Sequence, residues 1–293
     1  MTVARRRQER TWDVADLNRI SARIVLYLLL LTVVVTVGFP LFWMVSASFR
    51  VPADLYATPP TLLPTTWTLQ NYFDLFEQTR FGTYFVNSLI VACGATGLSL
   101  LVGAVGAYSL SRFRYRSIRA FSSLALSSYL LPEVLLVIPL YVYVIGLGLA
   151  DTLVALIVSN MAFTLPLTLW YMRAYFNAIP VSLEEAAMVE GCTRFEAFRR
   201  VVLPLALPGL VATGVFSFNQ AWNDFLFALV FTSSERNKVL PLGLATWIAN
   251  DNVYMWGMLL AGAVLVTLPV LVVFFVAQGK LISGLAEGSA KGE

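Results

Sequence analysis

The 293-residue chain has no histidine, only two cysteines and few charged residues, which make up 13% of the sequence. A soluble domain usually carries about 25% charged residues. Cys93 and Cys192 lie far apart in unlike surroundings, so the sequence predicts neither a disulfide framework nor a metal site. The phosphate-binding pattern G-x-x-x-x-G-K-[ST] is also missing, because Leu281 follows Gly279 and Lys280. We therefore expect no ATP bound in the P-loop manner, no metal, and no enzyme chemistry in this chain.

Apolar residues are abundant instead, at 58% of the chain, with a mean hydropathy of +0.75. A helix needs about 20 apolar residues to cross the roughly 30 Å hydrocarbon core of a bilayer. We therefore predict an all-α fold, a polytopic membrane helix bundle of about six transmembrane helices with a short cytoplasmic helix. The six apolar runs lie at 24–49, 84–110, 121–147, 153–176, 205–231 and 255–282.

The positions of Lys and Arg predict the orientation of this bundle. With the N-terminus inside, sixteen of the twenty basic residues fall on the cytoplasmic side, which is the bias that cytoplasmic loops carry. Both termini are therefore predicted to be cytoplasmic. We expect a single transmembrane domain over 1–293, with an N-terminal segment (1–23), a six-span core (24–282), a cytoplasmic loop (177–204) and a C-terminal tail (283–293).

A charged segment, SLEEAAMVEGCTRFEAFRRVVLP, interrupts the apolar sequence between the fourth and fifth spans. Ser182 with Glu185, and Thr193 with Glu196, have the spacing of helix capping boxes. Gly191 stands between them, where a helix would end in a left-handed residue. The pattern predicts two short helices joined at a glycine corner, over 183–190 and 194–203.

The first of these helices is too short to be stable alone in water, so it must pack on something. Leu183, Ala186, Ala187 and Glu190 lie on one face at helical spacing. The residues alone leave two alternatives open. This face packs either on the chain's own bundle or on another subunit.

A few polar residues lie inside the predicted spans. Glu133 is placed near the middle of the third span and is expected to face the bundle or water, because a carboxylate is costly in hydrocarbon. It either makes a hydrogen bond between helices or lines a substrate path. Asn219, Trp222 and Asn223 lie at i, i+3 and i+4 of the fifth span and put an aromatic plate between two amides. This arrangement suits a sugar, although it also suits plain helix packing and an interfacial Trp.

The charged segment also resembles a known family, the permease subunits of ATP-binding-cassette importers. Glu185-Ala186-Ala187, then Gly191, Val201 and Leu203-Pro204 have the spacing of that family's signature. The resemblance implies a coupling helix that docks in a groove on a separate ATPase subunit and carries its motion into the membrane. The residues it implicates are Glu184, Glu185, Ala186, Ala187, Gly191, Leu203 and Pro204.

Other segments resemble carbohydrate-importer permeases, above all the maltose-type second permease subunit. They include PLFWMVSASFR at 40–50, AYSLSRFRYRS at 107–117, FNQAWNDFLFALV at 218–230 and the tail GLAEGSAKG at 284–292. The resemblance implies a bacterial or archaeal plasma (inner) membrane protein that imports a sugar or oligosaccharide. The alternatives are an importer permease for a non-sugar solute and a secondary transporter, although we see no inverted repeat of the first three spans.

The same resemblance implies the partners of the chain. They are a homologous permease, two nucleotide-binding ATPase subunits that hold ATP and Mg, and an extracytoplasmic solute-binding protein. The loop between the fifth and sixth spans, about 232–254, is expected to meet the binding protein, and the C-terminal tail to reach toward the ATPase interface. Nothing in the sequence indicates binding to nucleic acid.

The predicted orientation can be tested with single cysteines in a chain that lacks Cys93 and Cys192. Because 237 lies in an outer loop and 117 in an inner loop, Asn237→Cys should react with a membrane-impermeant thiol reagent added outside, and Ser117→Cys only after the membrane is opened. Labelling in the reverse pattern would overturn the orientation.

Overall fold

A computed structural model describes residues 14–113, 127, 131–249 and 256–289. The regular structure in these residues is helical, and within them β-pairing is limited to one isolated bridge between Arg50 and Trp67. Within these described residues, four helices are long and apolar enough to cross a membrane, or five if the bent pair that ends at Trp222 is one span. We name them in chain order α1 (Val14–Ser48), α4 (Phe81–Arg112), α6 (Leu153–Ala178) and α12 (Trp256–Ser289).

Shorter helices connect these spans. Helices α2 and α3 follow the first span, and α11 precedes the last. The segment between the fourth and fifth spans forms α7 and α8. The bounds are α2 Pro52–Leu55, α3 Gln70–Gln78, α5 Glu133–Gly146, α7 Val181–Val189, α8 Arg194–Leu205, α9 Leu207–Trp222, α10 Leu226–Phe231 and α11 Leu240–Ala249.

Of the predicted third span, 121–147, the structure describes 127 and 131–147, and α5 covers 14 of these residues, Glu133–Gly146. Glu133, predicted near the middle of this span, stands in the first turn of α5. Pro132 precedes it in an extended conformation (φ −57°, ψ 134°), and proline also disfavours helix at the residue before it. A carboxylate in a first turn complements the positive end of the helix dipole.

The predicted fifth span, 205–231, is not one continuous helix. The chain bends by 73° between α8 and α9, and α9 then ends at Trp222 before α10 begins at Leu226. Asn223 and Asp224 cause the second break, because their side chains can replace backbone partners. The Asn223 Nδ2 donates to the carbonyl of Asn219 at 2.8 Å, and Asp224 Oδ1 accepts from the Phe227 N–H at 3.1 Å.

The centre of the bundle is the contact between α4 and α6, against which α9 also packs, while α12 packs on α9 and α1. Small residues on α4 let the helices approach closely. A Cβ placed on Gly103 would lie 2.4 Å from Thr168 Cγ2, and one on Gly106 would lie 2.8 Å from Leu169 Cδ2. Buried hydroxyls cross the same contact, where Ser99 Oγ and Thr164 Oγ1 are 2.6 Å apart. The first span differs, since α1 exposes most of its apolar side chains and is buried only at its end, over 46–48.

The α4–α6 contact predicts that Gly103→Ala destabilises the chain by about 1–3 kcal/mol, because an added methyl group overpacks a tight helix crossing. The melting temperature of the purified chain in detergent should fall. Gly97→Ala is the matched control on the same helix, because a Cβ there meets nothing within 4 Å. Equal melting temperatures for the two variants would contradict the close approach of α4 and α6.

Candidate functional site

The first part of the candidate site is the corner made by α7 and α8. The helix predicted over 183–190 is present as Val181–Val189, and it begins directly after Pro180. The predicted capping box of Ser182 with Glu185 is wrong, because no side chain caps this helix and Ser182 lies inside its first turn. The fixed φ of Pro180 sets the entry of the chain instead.

Gly191 ends α7 as the sequence predicts, in a left-handed conformation with φ +98°. Its N–H donates to the carbonyl of Met188 at 3.1 Å, and the N–H of Cys192 donates to that of Ala187 at 3.1 Å. These two bonds form a Schellman motif. A Cβ at Gly191 would meet nothing within 4 Å, so the requirement for glycine comes from backbone conformation alone.

The capping box predicted for the second helix is confirmed. The Glu196 N–H donates to Thr193 Oγ1 at 3.3 Å, and the Thr193 N–H donates to Glu196 Oε2 at 2.8 Å. The helix then widens into a π turn over Phe198–Val202, directly before Leu203 and Pro204. A wider turn removes the clash that a proline ring makes with the carbonyl four residues earlier.

The short helix α7 uses one face for its own bundle and leaves the other exposed. Glu184 and Ala187 are buried, whereas Leu183, Ala186 and Glu190 are exposed, so the predicted face does not pack as a unit. The Glu184 side chain reaches Tyr108 and Arg112 of α4. The exposed side of the corner carries Val181, Leu183, Glu185, Ala186, Val189, Glu190 and Phe195.

Glu184 is held by an ion pair that the sequence did not predict. Its Oε1 lies 2.5 Å from Arg112 Nε, and the two side chains are only 4% and 6% exposed. Its Oε2 accepts from the Tyr108 hydroxyl at 2.8 Å. Arg112 and Tyr108 both belong to the last turns of α4, so α7 is fixed to the end of the second span.

The second part of the candidate site is a polar cavity of about 270 Å³ near the break between α9 and α10. Glu133 Oε1 accepts from Gln220 Nε2 at 2.8 Å, and Asp224 Oδ2 accepts from Asn160 Nδ2 at 3.0 Å. The two carboxylates therefore each pair with an amide of another helix. The lining residues are Glu133, Asn160, Phe163, Asn219, Gln220, Asn223, Asp224, Phe225 and Phe227.

The cavity contains three of the four predicted path residues, Glu133, Asn219 and Asn223, but not Trp222. Trp222 is 2% exposed and stacks on Phe218 in the apolar core, with ring centroids 5.6 Å apart. At about 100° per residue, the helix turns position 222 roughly 100° away from position 223. The shared face predicted for Trp222 is therefore wrong, and Phe225 supplies an aromatic ring to the cavity instead. Asn160 and Gln220 were missed because single polar residues in apolar runs resemble ordinary packing residues.

The loop between α10 and α11 is held at both ends. The Asp151 carboxylate accepts from the N–H groups of Ser233 and Ser234, each at 3.0 Å. These hydrogen bonds, that from Ser234 first, lower the pKa of Asp151 to about 2, so the carboxylate stays ionised at neutral pH. Asn87 on α4 donates to the carbonyls of Arg236 and Lys238 at 2.8 Å. The predicted loop 232–254 is described as far as 249.

The remaining predicted segments are described in part. Residues 1–13 of the N-terminal segment and 290–293 of the tail lie outside the described residues. Within the tail, α12 continues as helix to Ser289.

Comparison with known proteins places this geometry in a family. Residues 95–281 match the family described as binding-protein-dependent transport system inner membrane component. The matched range contains the corner of α7 and α8, the polar cavity and the loop between α10 and α11.

Individual relatives cover nearly the whole chain. The inner membrane ABC transporter permease protein YcjP of Escherichia coli (strain K12) is 36% identical over 94% of this chain and 99% of its own. The diacetylchitobiose uptake system permease protein DasC of Streptomyces coelicolor is 36% identical over 87% of this chain and 92% of its own. A crystal structure of a bacterial ABC transporter that imports the acidic polysaccharide alginate includes a chain with a TM-score of 0.78 and 25% identity, covering 92% of this chain and 99% of that one.

Proposed function

Because this chain belongs to the family of binding-protein-dependent transport system inner membrane components, we propose that it forms, with a homologous permease, the membrane path of an importer for a sugar or oligosaccharide. The family consists of multi-pass permeases of the inner membrane and not of enzymes. The carbohydrate class is supported by relatives such as the diacetylchitobiose permease. The observation that carries the proposal is the corner of α7 and α8, which offers an exposed face beside the bundle.

Two separate ATPase subunits are proposed to bind ATP and Mg and to drive the importer through this corner. Glu185 and Ala186 are exposed next to the buried Glu184 and Ala187, so α7 can contact a partner without losing its own packing. Val189, 88% exposed, adds apolar surface to the same side. Gly191 fixes the direction in which α8 leaves this surface, and Leu203 and Pro204 lead from there into the fifth span.

The polar cavity is proposed to line part of the substrate path. Sugars carry hydroxyls that both donate and accept hydrogen bonds, and the amides of Asn219 and Asn223 can do both in return. The exposed ring of Phe225 can pack on the apolar C–H face of a sugar. Asp224 and Glu133 can accept from hydroxyls, since each carboxylate has capacity beyond the bond it already makes.

The extracytoplasmic solute-binding protein is proposed to dock at the other end of the bundle, on the loop after α10. Asp151 and Asn87 hold that loop in place, while Ser233, Glu235 and Arg236 remain exposed. With this end outside, both termini and the corner of α7 and α8 face the cytoplasm.

The proposed function is tested by uptake into vesicles. We expect vesicles that contain the complex purified through a tag on this chain to take up a labelled oligosaccharide only with ATP on the ATPase side and with the binding protein present. Glu185→Lys should leave the chain in the membrane but reduce the ATPase recovered with it about tenfold, because a reversed charge at the docking face disfavours a complementary partner.

The matched control is Glu77→Lys, the same charge change at an exposed position of the outer helix α3. It should leave the recovery of the ATPase unchanged. Uptake driven by an ion gradient without ATP would show a secondary transporter instead, and ATP-dependent uptake of amino acids but not sugars would show an importer for a non-sugar solute.

Asn219 lines the cavity whereas Trp222 lies in the apolar core, and this difference gives a further prediction. Asn219→Ala should lower uptake of the sugar with little change in melting temperature, because Asn219 is exposed to the cavity. Trp222→Ala should lower the melting temperature and the yield of complex, since removing a buried indole costs about 3–5 kcal/mol. Normal uptake by the Asn219 variant would remove this face from the substrate path.

A further inference from the structure

Arg112 is the last residue of α4, and its guanidinium contacts the ends of two other helices. Nη1 donates to the carbonyl of Phe176 at 3.0 Å and Nη2 to that of Ile179 at 3.1 Å. These carbonyls belong to the C-terminal end of α6, where the last carbonyls of a helix have no partner within the helix. A cation at this end also complements the helix dipole.

The third nitrogen of the same guanidinium, Nε, pairs with Glu184 on α7 at 2.5 Å. One planar group therefore joins α4, α6 and α7. Both oxygens of the carboxylate are occupied as well, because Oε2 accepts from the Tyr108 hydroxyl. The pair is thus buried and hydrogen-bonded on both sides, which is the condition under which buried charges are stable.

Aromatic rings extend the junction to α8. The ring of Tyr108 lies 4.5 Å from that of Phe198 in the π turn and 6.0 Å from that of Phe176 on α6, between ring centroids. Phe176 and Phe198 are themselves 6.0 Å apart. The three rings form a closed triangle directly beside the ion pair, so α8 is packed against the same point.

The geometry of this junction restricts motion. A guanidinium donates in a fixed planar fork, so α7 cannot rotate or slide against α4 and α6 without breaking buried, charge-assisted bonds. An exposed contact gives no such restriction, because water replaces its partners. Motion applied to the exposed face of α7 is therefore passed on to the ends of two spans.

We propose that Arg112 and Glu184 are positioning residues for energy coupling, a buried joint that makes α7 move as one body with α4 and α6. This inference rests on the proposed function of the chain. It divides the roles of two adjacent glutamates. Glu185 is left to the partner ATPase, while Glu184 fastens α7 to the membrane helices.

The first experiment measures sugar taken up per ATP hydrolysed by the purified complex. Glu184→Gln keeps the shape of the side chain and removes its charge. Arg112→Gln removes the guanidinium and its planar set of donors. Each should lower this ratio about tenfold while the ATPase is still recovered with the chain. Because the two residues act as one unit, the double variant should be no worse than the more damaged single variant. Arg112→Lys keeps the charge but loses the fork, and should restore the ratio only in part.

Arg200→Gln is the control, because it removes the Arg200–Glu196 ion pair, which lies at the same end of the bundle but is exposed, with a 3.8 Å separation. Its ratio should equal that of the unaltered complex. An unchanged ratio in Glu184→Gln would overturn the proposal, and so would effects of the two single variants that simply add.

The second experiment follows the joint itself in the full-length chain, without partners. Spin labels at Val105→Cys on α4 and Val189→Cys on α7, both exposed positions, report the distance between the helices in a background without Cys93 and Cys192. Glu184→Gln should broaden a narrow distance distribution, and Arg200→Gln should not. A distribution that stays narrow in Glu184→Gln would overturn the joint. The distance measurement tests the joint independently of transport. Absence of ATP-dependent uptake by the unaltered complex would contradict the proposed function and not the joint.

Discussion

A bilayer offers no hydrogen-bond partner to an interrupted helix, and this constraint decides where the spans of this chain can break. The second break in the fifth span lies where Asp224 accepts the N–H of Phe227 and the amide of Asn160. In the described part of the third span, the helix begins directly after Pro132, a residue with no N–H to satisfy. The same side chains that close these breaks leave carboxylates and amides facing one cavity. The polar site thus exists because the helices are interrupted there.

The sequence was sufficient for features set by local chemistry. Hydropathy located the long spans, the left-handed turn at Gly191 followed from its place after a helix, and the capping box of Thr193 followed from spacing. Features set by packing could not be predicted from the sequence. Ser182 has the same spacing to Glu185 as Thr193 has to Glu196, yet Pro180 starts the helix earlier. Nothing in the local sequence separates Glu184 from Glu185, because their roles depend on Arg112, which lies 72 residues earlier. Trp222 was misplaced for a similar reason, since the core that buries it comes from other helices.

The two ends of the bundle are fastened by different chemistry. At one end a charged pair, nearly without water, joins Arg112 to Glu184. At the other, Asp151 holds the loop between α10 and α11 mostly through backbone N–H groups in a partly exposed position. A loop held in this way keeps one shape before a partner arrives, so less conformational entropy is lost on docking. The end that holds Arg112 and Glu184 has less freedom still, because breaking its contacts would leave a buried charge unpaired.

The π turn over Phe198–Val202 has a consequence for helical phase. A π turn holds one residue more than an α turn. It therefore sets the rotation of the helix residues after the turn relative to those before it. Loss of a single residue between Gly191 and Pro204 would rotate α9 by about 100° relative to α7. The amides of Asn219 and Asn223 would then turn away from the cavity although no residue of the cavity had changed. The number of residues in this connection therefore governs which face of the fifth span meets the cavity, independently of which residues they are.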